Sequence, residues 1–358
     1  MKPCFLLNEF NRGGAERLVL DVATELSTFD GISPVVVVGN DNGELRSEFD
    51  CRNFPTHSLD VDITVSSIQH SIRKFSSLLN VIEPDIVHSH LPFSHIVGRI
   101  SAWSQSIPSV STYHNVSAHK TIPKRLAEIT TSPLGKRIIC VSQGVADSYH
   151  SIRQKEVIYN GICVDDFAST IKSVDPADID DAKGKTVFLN VARCVHQKRQ
   201  QDLIDAMNHL DSDQNHLIIV GSGPLKQELV QQAEQQGLSG CISITGYVED
   251  IEPYFAAADI FISSSVKEGL PTTHLEAMAS QLPIVSTNIP GVNEIVEQGT
   301  NGYLVPPKQP QQLAEKMELL NSSPEQLGTN GLAIVKDRFS IKAVSAQHHQ
   351  LYSDILET

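Results

Sequence analysis

The chain has 358 residues, 40% hydrophobic and 20% charged, enough for about two globular domains and a composition that excludes disordered, collagen-like and disulfide-stapled classes. Its formal net charge of −14, from 28 bases against 42 acids, speaks against a nucleic-acid partner. No run approaches the roughly 18 apolar residues of a bilayer span, the first nine residues turn polar too soon for a signal peptide, and six scattered cysteines without ligand spacing fit a reduced cytoplasm.

In chain order, apolar strand-like runs alternate with helical patterns. Cys4 to Leu7, Pro34 to Val38, Ile86 to His88, Ser109 to Thr112 and Ile138 to Val141 read as strands. Ala15 to Ser27, Ser66 to Asn80 and Ser94 to Gln105 read as amphipathic helices between them. A polar, acid-rich stretch from Ser173 to Gly184 has few core formers, which places the domain linker there or just before it. Strand patterns then resume at Val187 to Val191, Leu217 to Val220, Ile242 to Ile244, Ile260 to Ile262 and Ile284 to Ser286, with a helical pattern at Leu203 to Leu210. Ile341, Val344, His348, Leu351, Tyr352 and Ile355 recur at helical spacing near the chain end. Such βαβα alternation predicts two doubly wound α/β domains that meet across a cleft formed by their strand C-terminal ends.

Three segments carry chemistry. Gly13 and Gly14 follow the first strand and open a helix, where free N–H groups and the helix dipole suit a phosphate; a plain tight turn has the same spelling. Arg193 and Lys198 bracket the loop after the first strand of the second half. A guanidinium fork and a point charge there suit a diphosphate, although solvated loop bases read the same. The segment Glu268-Gly269-Leu270-Pro271-Thr272-Thr273-His274-Leu275-Glu276 follows a strand that ends in Ser263-Ser264-Ser265. Its helix should begin near Pro271 or Thr272, leaving N–H groups for an anion and Glu276 for ribose hydroxyls.

These residues resemble glycosyltransferase family 4, a retaining family of GT-B fold. The resemblance rests on Glu268 to Glu276, on Arg193 with Lys198, and on Gly13-Gly14. Tyr159-Asn160-Gly161-Ile162, Gly221-Ser222-Gly223-Pro224 and Gly302 to Pro306 add to it, in the family's order. It implies two Rossmann-like domains: an acceptor-side domain over 1–168, on which the C-terminal helix 341–358 packs back, and a nucleotide-sugar domain over 169–340. It also implies roles. Arg193 and Lys198 hold the donor diphosphate while Gly13 and Gly14 close over it. Glu276 binds the ribose, Glu268 meets the transferred sugar, and Gly269, Leu270, Pro271, Thr272 and Thr273 line sugar and phosphate. A histidine beside the sugar matches His114 in Thr112-Tyr113-His114-Asn115, with His88 and His90 as competitors that read better as structural residues.

The implied reaction moves a sugar from a UDP- or GDP-sugar to a glycan or lipid-linked acceptor, as in bacterial surface polysaccharide synthesis. A nucleotide-sugar epimerase of the same fold and a silent sugar-nucleotide-binding partner are the alternatives; a glycosidase built on Glu268 and Glu276 suits the two bases less. No metal or other cofactor is expected. Asp178-Ile179-Asp180 and Asp211-Ser212-Asp213 do not follow strands, and lysine and arginine can carry the charge instead. Arg199 stands where the family has glycine, a departure that disturbs the loop or adds a third base. Residues 1–165 carry 15 bases and 17 acids against 13 and 25 in the remainder. The pairs Arg73-Lys74, Lys124-Arg125 and Lys136-Arg137 would suit a peripheral contact with the inner face of a membrane and equally suit solvated helix faces.

Overall fold

The computed structural model describes residues 1–11, 13–52, 54–116, 122–149, 153–177, 182–321 and 325–357. It divides into two compact units, residues 1–162 with 341–358, and residues 163–340. Among the described residues no helix is long and apolar enough to cross a membrane.

The first unit holds seven strands: β1 (Pro3–Leu7), β2 (Val35–Val38), β3 (Thr56–Ser58), β4 (Ile86–His90), β5 (Ser109–Tyr113), β6 (Arg137–Cys140) and β7 (Lys155–Val157). They pair in parallel in the order β3-β2-β1-β4-β5-β6-β7. The inner strands are buried along nearly all their length, as Val35–Val38 shows with four consecutive valines, because crossover helices cover both faces of a parallel sheet. The helix Gly14–Leu26 buries Leu18, Val19, Val22, Ala23 and Leu26. It packs against the C-terminal helix Ile341–Leu356, whose Ile341 N–H donates to the Ile162 carbonyl at 2.8 Å.

The second unit repeats the plan with six strands: β8 (Thr186–Val191), β9 (Asn215–Val220), β10 (Ile242–Gly246), β11 (Ile260–Ser263), β12 (Ile284–Thr287) and β13 (Gly302–Val305). Their order is β10-β9-β8-β11-β12-β13, again parallel. The core runs from Phe188 and Leu203 through Leu217 and Ile262 to Leu313 and Met317.

Two boundaries differ from the sequence expectation. The division falls between Ile162 and Cys163, six residues before the expected 168/169. The helix Val164–Ser173 packs on the helices Glu252–Ala257 and Thr272–Ala279, with the Phe167 and Phe255 rings 5.5 Å apart. It therefore belongs to the second unit, and Ala177 N–H, inside the polar stretch read as a linker, bonds the Pro253 carbonyl at 2.9 Å. The helix expected over Leu203 to Leu210 spans Gln200–Met207 instead, since Arg199 at φ 48° starts it and Asp202 occupies its first turn. The short strands β3, β7 and β13 went unread because three or four residues with part-exposed side chains leave little hydrophobic pattern.

Candidate functional site

In the second unit the strand order reverses between β8 and β11, and crevices beyond the strand C-termini at such a switch point are where α/β sheets bind ligands. Lys198 leaves β8 on one side and Glu268 leaves β11 on the other. The two loops are laced together. Gln197 Nε2 donates to the Lys267 carbonyl at 2.6 Å, Val266 N–H to the Gln197 carbonyl at 3.0 Å, and Ser264 Oγ to the carbonyls of Lys198 and Arg199 at 2.9 and 2.8 Å. Lys198 Nζ consequently reaches Glu268 Oε1 at 2.6 Å, with the side chains 22% and 8% exposed.

The helix after this loop spans Thr272–Ala279 with Pro271 at its N-cap and no side chain capping it. Its first N–H groups stay available to an anion. Gly269, Leu270 and Pro271 are buried, Thr272 and Thr273 half-buried, and Glu276 half-buried one turn further on. Gly291 passes against this loop at φ 85°; a Cβ there would lie 2.2 Å from the Gly269 carbonyl oxygen, so glycine is required. His274 is buried, its Nε2 3.0 Å from Ser286 Oγ, and burial, reinforced by the Lys198 charge, lowers it to about 3. The imidazole is thus neutral, within electrostatic reach of the lysine.

Arg193 stands exposed in the β8 loop, where its carbonyl accepts Gln200 Nε2 at 3.0 Å; its guanidinium meets neither Lys198 nor Glu268. Arg199 is not a third free base. Its Nε and NH2 form a fork on Asp202 Oδ2 and Oδ1, both at 2.6 Å, which raises the arginine's already high pKa and secures a left-handed backbone that a β-carbon disfavours. Asp202 is not singled out by the sequence, and Ser264 reads there only as part of a strand end. The signal for the first was its i+3 spacing from Arg199.

Among the described residues no group of three or more His, Cys, Asp or Glu could hold a metal. Asp211 spends its carboxylate on Asp213 N–H at 2.9 Å and Gln214 Nε2 at 3.0 Å. That turn precedes β9, at the end of the sheet away from the switch point. Asp178 to Asp180 lie outside the described residues, as do Arg12 and the side chains of Lys124 and Arg125.

In the first unit the equivalent switch point lies between β1 and β4. Gly13 is the N-cap of the helix that opens at Gly14, with φ −124°. Nothing lies within 4 Å of a Cβ placed on Gly14, whereas one on Gly13 would touch Glu16 Oε2. The Glu16 carboxylate curls back over the turn, and burial raises its pKa. His114 follows β5, with Nε2 2.9 Å from His90 Nδ1, and burial lowers it to about 4. His88 is fully buried, held by Tyr352 Oη at 2.5 Å and Thr112 Oγ1 at 2.6 Å. Burial first, then neighbouring histidines, lower both His88 and His90 well below the usual range. All three are neutral. His114 and the Gly13–Gly14 turn belong to one unit, Arg193, Lys198, Glu268 and Glu276 to the other, and each group is assembled within its own sheet.

Known proteins share both halves. A family model described as Glycosyltransferase Family 4 matches residues 12–166, and one described as Glycosyl transferases group 1 matches residues 172–331. The lipopolysaccharide core biosynthesis glycosyltransferase LpsE of Rhizobium meliloti is 25% identical over 349 residues, covering 95% of each chain. A UDP-Gal:alpha-D-GlcNAc-diphosphoundecaprenol alpha-1,3-galactosyltransferase of Escherichia coli is 27% identical over 75% of each. Among solved structures, Anabaena HepE in complex with UDP superposes with a TM-score of 0.84 at 23% identity, covering 99% of this chain and 100% of that one.

Proposed function

The chain belongs to glycosyltransferase family 4, and from that premise we propose that it transfers a sugar from a nucleotide-sugar donor, with retained anomeric configuration and without a metal ion, to a glycan or lipid-linked acceptor of a bacterial surface polysaccharide. The observation that carries this is the Lys198–Glu268 pair at the switch point of the second sheet, 2.6 Å apart beside an uncapped helix N-terminus. Negative charge grows on the departing diphosphate, and preorganised cations matter most where charge develops. Lys198 and Arg193 fill that role, which is the support for metal independence. Thr272, Thr273 and the loop Gly269 to Pro271 receive phosphate and sugar, Glu276 the ribose, and Glu268 the sugar hydroxyls. The first unit contributes His114 to the sugar and Gly13 with Gly14 to the diphosphate.

A UDP-sugar is the expected donor, since UDP accompanies Anabaena HepE and UDP-Gal the E. coli relative; GDP-sugars are the second choice. Of the basic pairs, Lys74 bonds the Leu59 carbonyl at 2.6 Å and Arg137 approaches Glu156 at 3.9 Å, leaving Arg73 and Lys136 exposed for an anionic membrane surface. Flotation with anionic and neutral vesicles tests that contact, and equal recovery refutes it.

A thermal-shift screen against UDP-, GDP- and ADP-sugars tests the whole reading. Ligand at 100 times Kd stabilises by about 2.7 kcal/mol, roughly 5–10 °C for a domain of this size. A shift with one base class supports the proposal; no shift with any of them overturns it.

A further inference from the structure

β4 and β5 run in parallel with His90 opposite Thr112, and residues two apart share a sheet face. His88, His90, Thr112 and His114 therefore line one face, and the same offset is bonded twice. His88 Nε2 meets Thr112 Oγ1 at 2.6 Å, and His90 Nδ1 meets His114 Nε2 at 2.9 Å. The two histidines of β4 then differ. His88 uses both ring nitrogens, the second on Tyr352 Oη. His90 is 2% exposed, and its Nε2 is buried with no partner among the described residues.

The His90–His114 bond contains one proton, since both rings are neutral, and two arrangements are available. If His114 Nε2 carries the proton, His90 Nδ1 must accept it. His90 then holds its own proton on Nε2, a buried N–H with nothing to receive it. If His90 Nδ1 carries the proton, the buried Nε2 is a bare lone pair, and His114 is protonated on Nδ1. Orphaned buried N–H groups are rarer in folded proteins than under-satisfied acceptors.

We infer that His90 is a positioning residue that donates from Nδ1 to His114 Nε2 and so holds His114 in its Nδ1–H tautomer, making His114 a hydrogen-bond donor toward its ligand. No base is available on that edge, because the ring's lone pair faces His90. His114 thus orients an acceptor oxygen and does not remove a proton. That this oxygen is a sugar hydroxyl rests on the proposed function; the tautomer does not.

Nitrogen-15 NMR of the full chain with labelled histidine reads the tautomer directly. In the unmodified protein His114 should show a protonated Nδ1 and a bare Nε2, independent of pH between about 6 and 8, well above its folded value. The variant H90N keeps a side-chain N–H near the Nδ1 position and should preserve the pattern, while H90F should release His114 to a tautomer mixture. A protonated Nε2 on His114 in the unmodified chain, or an unchanged spectrum in folded H90F, overturns the inference. With the donor in hand, kcat should fall on the order of 10- to 100-fold in H90F, as loss of one buried hydrogen bond allows, with recovery in H90N. Equal rates in both variants despite the expected spectra would remove His114 from the sugar and leave its tautomer standing.

Discussion

Replacing Lys198 by methionine should cost both stability and rate, and the two losses should separate in a double variant. At an effective dielectric of about 20, unit charges 2.6 Å apart attract by about 6 kcal/mol. Desolvation of the two ions offsets most of this, so the intact pair contributes little net stability; removing one partner strands the other. The usual cost of such a stranded charge is about 3–5 kcal/mol when burial is complete. Here the stranded charge is Glu268, only 8% exposed, so about 3 kcal/mol, the low end of that range, is expected for Lys198→Met. Glu268→Gln should cost about 1 kcal/mol, because a freed lysine extends into solvent. Combining the two should recover at least about 1 kcal/mol, a coupling within the range for residues in contact. Rate should not follow. Loss of one preorganised electrostatic group lowers kcat by about 10²- to 10³-fold, so the double variant should fold well and stay slow. Urea denaturation followed by circular dichroism gives the stabilities, and steady-state turnover at saturating donor gives kcat. Recovery of rate together with stability would mean that Lys198 only neutralises Glu268, and the leaving-group role would be wrong.

Glu276→Ala should raise donor KM with little change in kcat, because ribose contacts are equal in ground and transition states; initial rates across donor concentration check this. Gly291→Ala should destabilise the second unit by at least about 2 kcal/mol, since its Cβ would lie 2.2 Å from the Gly269 oxygen at φ 85°. Gly299→Ala, at φ 74° with nothing within 4 Å, should cost only about 1 kcal/mol of backbone strain, and denaturation midpoints compare the two. Acid should weaken the first unit before the second. Folded values of about 4 for His114 and about 3 for His348, with His88 and His90 also lowered, lie below the unfolded value near 6.5. Their contribution is complete above pH 6.5 and is lost as pH falls toward 4 and 3, by about 1.4 kcal/mol per pH unit for each extra proton the unfolded chain binds. These four lie in the first unit, against His274 in the second, so hydrogen exchange should show β4 and β5 opening first. Addition of a chelator should leave turnover unchanged, and a lost rate would refute metal independence.

The sequence determined the class of the molecule. Buried parallel strands must be apolar on both faces, so Val35–Val38 and Leu217 to Val220 declare themselves, and helix periodicity marks Ile341–Leu356 as strongly. The start of the Thr272–Ala279 helix was legible from Pro271, because proline suits only the first turn. Arg193, Lys198, Glu268 and Glu276 could be nominated as a group, since residue type and position after a strand constrain the chemistry. What they touch was decided only by tertiary structure. Lys198 and Glu268 are 70 residues apart, and their 2.6 Å contact depends on β8 and β11 being neighbours, a fact of strand order that local pattern does not encode. The same holds for Arg199, where the sequence offered a third phosphate-facing base and the fold supplied Asp202 at bonding distance. Resemblance could single out His114 over His88 and His90, but not what any of the three rings touches. That took a strand register and a proton count, because a histidine's role is set by which nitrogen finds a partner, and the partners come from elements far along the chain.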